Sequence, residues 1–175
     1  PGEYRLVITG TGDALGHFNI NPIDLSQATA LTRGTPVTGI LAPANTTHAF
    51  RLDAQAGEQV FIDHIEGSTA VRWRLIDPFG RVALGAITPS DQTGLTLAFT
   101  GAYTLLIEGE VNRGGQARFA VNVVSIETPV PQPLILDALT TAHITQPGQR
   151  HAYEFTLDVD SILLFDALLH NSAIN

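Results

Sequence analysis

The sequence of 175 residues contains no cysteine, no methionine and no lysine, and only 15% of its residues are charged. Without cysteine the chain can form no disulfide, no thiolate metal site and no thiol nucleophile. Its nine basic residues are all arginine and are scattered among seventeen acidic ones, for a formal net charge of −8. Because such a chain offers no basic patch for phosphates, neither nucleic acid nor an anionic membrane is an expected partner.

Long apolar runs are also missing. The longest, such as 162–165 in SILLFDALL, fall far short of the ~18 residues that a membrane-spanning helix needs. The chain has instead 44% hydrophobic residues in short alternating runs, separated by 16 Gly and 10 Pro. This pattern predicts an all-β protein, an antiparallel β-sandwich of the jelly-roll type. Strands are expected at 4–9, 47–53, 58–65, 70–76, 81–86, 94–99, 102–108, 117–124, 150–157 and 161–169.

The segment DPFG at 77–80 has proline at the second and glycine at the fourth position of a type I turn. It therefore predicts a hairpin between the strands 70–76 and 81–86. Alternation along the strands places one apolar face in the core. The expected core residues are Phe50, Val60, Ile62, Trp73, Leu75, Leu97, Phe99, Tyr103, Leu105, Phe119 and Val121.

An internal repeat divides the chain. GEYRLVITG at 2–10 and GAYTLLIEG at 101–109 share five of nine residues, and GHFNIN and HAFRL have later counterparts in ARFAVN and HAYEF. The offset between the copies grows from 99 to 101 and then 103 residues, as small loop insertions would produce. The sequence thus predicts a module of about 100 residues that is repeated, with partial modules at both ends.

The expected division has four parts. Residues 1–23 are the last strands of a preceding module, 32–125 a complete sandwich, 126–133 a proline-rich linker and 134–175 the first strands of a following module. Three prolines between 128 and 133 favour an extended spacer.

The order of the motifs TPVTGIL, HAFRL, AGEQVFIDH, WRLIDPFG and TGAYTLLIEG resembles that of the bacterial pre-peptidase C-terminal (PPC) domain family. The resemblance implies small jelly-roll-like sandwiches attached to secreted peptidases or strung along bacterial surface proteins, hence a secreted or cell-surface location. Similar domains in clostridial collagenases bind collagen and calcium. The chain departs from the family at His48 and His151, where the family frequently has aspartate.

Motifs for catalysis are not found. There is no Gly-x-Ser-x-Gly and no His-Glu-x-x-His, so the chain is not expected to be an enzyme. Asp63 and Asp166 recur at equivalent positions of the repeat and are the candidates for a metal site. They could be calcium ligands or carboxylates that accept turn N–H groups; the turn role is favoured, because hard cations need several clustered oxygens. No cofactor is expected, although calcium stays possible.

Arg72, Arg74 and Arg81 are expected on the outer face of the central hairpin, where they could receive an acidic partner. The simpler interpretation is a solvated polar face. Trp73, in phase with its apolar neighbours, is expected in the core and not on a sugar-binding surface.

The leading functional hypothesis is a non-catalytic repeat module of a large secreted or surface protein, a spacer or filament assembly unit that could also mediate adhesion. Its expected partners are other copies, joined head to tail through complementary strand edges, or adjacent modules of a longer chain. The rival hypothesis is an accessory domain of a secreted peptidase or hydrolase that binds collagen-like protein or polysaccharide.

Overall fold

The computed structural model describes residues 2–166, and residues 29–126 form a sandwich of two β-sheets. The first sheet has the strand order β1-β3-β8-β5-β6, and the second has the order β2-β9-β4-β7. All strand pairs in the two sheets are antiparallel except β1 with β3. The prediction of an all-β, antiparallel sandwich is therefore confirmed. The strands are β1 Thr29–Ala30, β2 Val37–Leu41, β3 Thr47–Ala54, β4 Gln59–Gly67, β5 Val71–Ile76, β6 Val82–Ile87, β7 Gln92–Thr96, β8 Gly101–Gly109, β9 Ala117–Ile126, β10 Gln132–Pro133 and β11 Tyr153–Glu154.

The core lies between the two sheets, where alternation brings one face of each strand inside. On β8, for example, Tyr103, Leu105 and Ile107 are each at most 1% exposed. Ten of the eleven expected core residues are buried. Phe99 is the exception: it is half-buried because it follows the end of β7 and packs at the rim against Phe79, with the ring centroids 5.2 Å apart.

The predicted hairpin joins β5 and β6. Gly80 donates its N–H to the carbonyl of Asp77, and its φ of 78° suits glycine. The Asp77 carboxylate accepts the backbone N–H groups of Phe79 and Arg81. The side chain of Asp77 is buried, so these bonds satisfy an acceptor that would otherwise be costly to bury.

The two ends of the chain differ from the expected strands. Residues 4–9 form no strand, and 150–157 pair only at Tyr153–Glu154. The expected strand at 161–169 is not formed over 161–166, and its last residues lie outside the described part. A strand needs a neighbour that satisfies its backbone groups and covers its apolar face, and no segment of 2–166 supplies one. The division into modules stays a prediction.

The pairing of β10 with β11 repeats the pairing of β1 with β3. Both pairs are parallel, and their registers are Thr29 with Phe50 and Gln132 with Tyr153. Each partner of the second pair lies 103 residues after its counterpart in the first. The structure therefore contains this short parallel strand pair, called the joint below, twice. The two copies are separated by the offset that the sequence repeat has in this region.

The hydrogen bonds that continue these two pairs also correspond. Leu31 donates its N–H to the carbonyl of Arg51 at 2.7 Å, and Leu134 donates to the carbonyl of Glu154 at 2.7 Å. A parallel pair of only two residues has little stability of its own. The two strand residues of β1 and β10 differ, so what recurs is Leu31 as Leu134 and the motif HAFRL of β3 as HAYEF.

Candidate functional site

The three arginines expected to receive a partner already have carboxylate partners within the chain. Arg72 pairs with Glu110 at 2.5 Å, and Arg74 lies 3.0 Å from a carboxylate oxygen of Glu108. All four side chains are partly exposed. Each positive charge is thus balanced by a neighbour, which leaves little net field to attract an acidic ligand.

Arg81 does not share this face, because it lies in the turn before β6. Its guanidinium bonds the Asp77 carboxylate at 2.8 Å and covers the rings of Phe79 and Phe99, at 5.0 and 4.5 Å from their centroids. Burial acts to raise the pKa of Asp77, but the hydrogen bonds from Arg81 and Phe79 outweigh it and lower the pKa. Arg81 therefore has a structural role in closing the hairpin turn.

The outer face of the second sheet carries a carboxylate that forms no ion pair with any residue of 2–166. Asp63 lies on β4, and its carboxylate accepts no hydrogen bond from residues 2–166. Asp91 lies nearby just before β7 and accepts the backbone N–H of His64 at 2.9 Å. Burial raises the pKa of Asp63, the charge of Asp91 raises it further, and His64 opposes both. The surroundings of Asp63 therefore disfavour its ionised form.

Asn122 lies directly opposite Asp63 on β9. It is 8% exposed, and its buried Oδ1 has no hydrogen-bond partner. Asp166, the repeat counterpart of Asp63, is exposed in the segment after β11. No group of three or more His, Asp or Glu side chains within 2–166 is arranged to hold a metal ion. The metal assignment of Asp63 and Asp166 stays untested.

An open cleft of about 1220 Å³ separates this face from the chain beyond the linker. Phe61, Asp63 and Asp91 line one wall, and residues 142–151 with Tyr153 line the other. The two walls touch at Gly148, where a Cβ atom would lie 3.0 Å from the Cβ of Phe61. Phe61 points away from the core yet is only 6% exposed. The start of the following segment thus packs directly on the sandwich.

Asp91 was not found from the sequence, because it lies in an ITPSDQ turn with no feature that distinguishes it from an ordinary loop carboxylate. The packing of 142–151 on the sheet was missed for a similar reason. The sequence feature that could have indicated this packing is Phe61, an apolar residue on the outward-facing side of β4.

Comparison with known proteins gives limited similarity. No family model matches the chain, and no curated protein matches it. A solved structure of PliG from Aeromonas hydrophila, a periplasmic inhibitor of g-type lysozyme, has 18% identity and a TM-score of 0.46; the match covers 56% of this chain and 96% of that one. PliG of Salmonella Typhimurium has 12% identity, a TM-score of 0.41 and coverage of 56% and 97%.

A third similar structure is the pre-peptidase C-terminal domain of a collagenase from Bacillus anthracis. It has 16% identity and a TM-score of 0.44, and the match covers 60% of this chain and 99% of that one. Identities and scores this low do not transfer a function to this chain. Within residues 2–166, no helix has the length and apolar character to cross a membrane.

Proposed function

We propose that this chain is a non-catalytic repeat module of a large secreted or surface-attached bacterial protein, in which it acts as a structural spacer and assembly unit. The observation that supports the proposal most directly is the repeated joint. β10 and β11 have the register of β1 and β3, 103 residues later. A second copy of the fold begins beyond the linker, as in an array of similar modules.

The contact between the first copy and the start of the second also supports a spacer. Residues 142–151 face β4 across the cleft, and Gly148 contacts Phe61 and Ile126. The proline-rich segment 128–133 restricts the connection further. Modules that contact each other in this way keep a fixed orientation, which suits a protein that spans a distance or builds a fibre.

At both joints, a histidine lies close to the aromatic residue two positions after it. His48 and Phe50 have ring centroids 6.4 Å apart, and His151 and Tyr153 have centroids 6.4 Å apart. The interplanar angles are 46° and 14°, so the rings are spaced alike but tilted differently. Because both histidines recur at the same place beside the joint, we assign them to the structure of the module and not to a ligand site.

A second candidate function, an accessory binding domain, is favoured by one observation. Asp63 and Asp91 face the open cleft without a cationic partner among residues 2–166. Two such carboxylates could bind an arginine or lysine of a collagen-like protein. Calorimetric titration with a collagen-like peptide tests this: binding that Asp63→Asn removes would favour the second function, and no heat at millimolar peptide would oppose it.

The repeat hypothesis is tested by completing the second module. A copy of residues 64–126 is joined after Asp166, in place of 167–175, because Asp166 is the counterpart of Asp63. The amide hydrogens of 150–157 should then exchange as slowly as those of 47–54. A scrambled insert of equal composition is the control. If the genuine insert protects 150–157 no better than the scrambled one, the segment does not begin a second sandwich.

A further inference from the structure

Residues 2–10 expose the same apolar positions that β8 buries. The sequence of 2–10 matches that of β8, and its side chains lie in the open. Exposures of 91%, 72% and 47% for Tyr4, Leu6 and Ile8 contrast with at most 1% for Tyr103, Leu105 and Ile107. A segment with this alternation is a strand that lacks its sheet.

Residues 150–157 expose the complementary edge. In the complete sandwich β3 lies between β1 and β8. β11, the counterpart of β3, has β10 on one side, and no strand of 2–166 lies on its other side. Tyr153, Phe155 and Leu157, which match core positions of β3, are 38–39% exposed. The missing neighbour is a strand with the sequence of β8.

We propose that residues 2–10 of one copy of this chain form an antiparallel strand beside residues 150–157 of a second copy. This inference rests on the proposed function, since it takes 134–166 to be the start of a second sandwich. The register follows from β3 and β8. Phe50 pairs with Leu105 there, so Tyr153 pairs with Leu6 of the other copy. Ala49 pairs with Leu106, so Ala152 pairs with Val7.

The charges agree with this register. The pair of Arg51 with Thr104 in the sandwich becomes Glu154 with Arg5 of the other copy. Opposite charges placed directly across an antiparallel pair stabilise it. Arg5 and Glu154 form no ion pair within residues 2–166, so both are available for each other.

The same end supplies a strand for the other sheet. GHFNIN at 16–21 matches ARFAVN at 117–122, the first six residues of β9. Phe18 and Ile20 are 65% and 50% exposed, whereas their counterparts Phe119 and Val121 are buried. One end of a copy thus provides the central strands of both sheets of the sandwich that the opposite end of another copy begins.

A second copy is the occupant because of where the two segments lie. Residues 2–10 precede the complete sandwich and 150–157 follow it. Pairing between copies continues the array in one direction, and a head-to-tail contact of this kind repeats without closing. Pairing within one chain would join the entry and the exit of the same sandwich in one sheet, and the experiment below separates the two cases.

The register is tested by disulfide trapping, which is selective because the chain has no cysteine of its own. Val7→Cys with Ala152→Cys should give a ladder of interchain disulfide-linked species on non-reducing gels. The control pair Val7→Cys with Glu154→Cys is displaced by two residues and should give little, because diagonal positions lie ~7–8 Å apart, beyond disulfide geometry. If the disulfide forms only within single chains, the second copy is the wrong partner. If the two cysteine pairs give equal yields of linked species, the register is wrong.

A charge exchange gives an independent measurement. Arg5→Glu and Glu154→Arg should each raise the dissociation constant for self-association, by up to about fivefold per lost pair, and the double variant should restore it. Sedimentation across a range of concentrations measures this constant. If the double variant associates no better than either single variant, the two residues do not pair.

The completed-module chain separates this inference from the proposed function. If its insert protects 150–157 but the unmodified chain shows no interchain trapping, the repeat stands and the strand exchange is wrong. If the insert gives no protection, the proposed function itself fails.

Discussion

The guanidinium of Arg33 and the carboxylate of Glu58 form a two-bond ion pair, with Nε to Oε1 at 2.7 Å and Nη2 to Oε2 at 2.9 Å. Arg33 precedes β2, and Glu58 lies in the turn before β4. The same carboxylate accepts the hydroxyl of Ser125 on β9 and the N–H of Gln55. One partly buried carboxylate therefore links the segment before β2, the turn between β3 and β4, and the strand β9.

Glu58→Gln should lower the free energy of unfolding by about 2 kcal/mol at pH 7, since it weakens several charge-assisted hydrogen bonds at once. Urea denaturation measures the change, and Glu127→Gln at an exposed position is the control. A cost equal to that of the control would show that the pair is merely a surface contact.

Glu58 should also give the stability a pH dependence. Burial acts to raise its pKa, but Arg33 and the hydrogen bonds from Gln55 and Ser125 outweigh it, so its pKa falls below 4.5 in the folded state. The stabilisation is thus complete above pH 4.5 and is lost as the pH falls through the lowered value. The wild-type advantage over Glu58→Gln should shrink in acid.

Trp73→Ala should cost about 3–5 kcal/mol, because Trp73 is 1% exposed between the sheets and its removal leaves a large cavity. The midpoint of thermal or urea unfolding measures the loss. Val111→Ala, at a side chain that is 84% exposed, should leave the midpoint nearly unchanged. A midpoint within a degree or two of wild type for Trp73→Ala would contradict the packing.

Most strands of the sandwich could be predicted from the sequence, including the edge strand β6, which was expected at 81–86 and lies at Val82–Ile87. β3, β4, β5 and β8 fall close to the expected ranges because their alternation matches one buried face. The strands β1, β2 and β10 were missed, since two residues carry no period and the five residues of β2 include a central glycine. Residues 4–9 alternate as well as β8 does, yet they form no strand. Alternation indicates which face of a segment can be buried, but it does not indicate whether a neighbouring strand is present.

The candidate site could be predicted only in part. Asp63 was found because it recurs in the repeat, whereas Asp91 comes beside it only through the pairing of β4 with β7. The neutralisation of Arg72 and Arg74 by Glu110 and Glu108 depends on β8 lying next to β5, a contact between distant parts of the sequence.

Gly109→Ala should destabilise the sandwich by about 3 kcal/mol, because a Cβ atom there would overlap the carbonyl oxygen of Ala44 and force backbone movement. Gly85→Ala in β6 is the matched control, since nothing lies within 4 Å of a Cβ at that position. Chemical denaturation compares the two variants. Equal stabilities would show that the chain near Ala44 moves aside without cost.

Calcium should not be required for folding. Asp63 and Asp91 supply fewer oxygen ligands than the six to eight that calcium takes. Adding a chelator such as EGTA should leave the thermal midpoint unmoved. A fall in the midpoint that added calcium reverses would assign a metal role to these carboxylates.

Asp63→Asn should stabilise the protein at neutral pH. Burial and the charge of Asp91 raise the pKa of Asp63 in the folded state, so its ionisation favours the unfolded chain. This destabilisation is absent below the ordinary value of 3.8, where the carboxyl is protonated in both states, and it grows as the pH rises through the raised pKa.

The amide variant should therefore melt higher than wild type at pH 7 and at nearly the same temperature at pH 3. Asp160→Asn, at an exposed position, should show no such difference. A loss of stability at pH 7 that EGTA abolishes would mean that the carboxylate binds a cation.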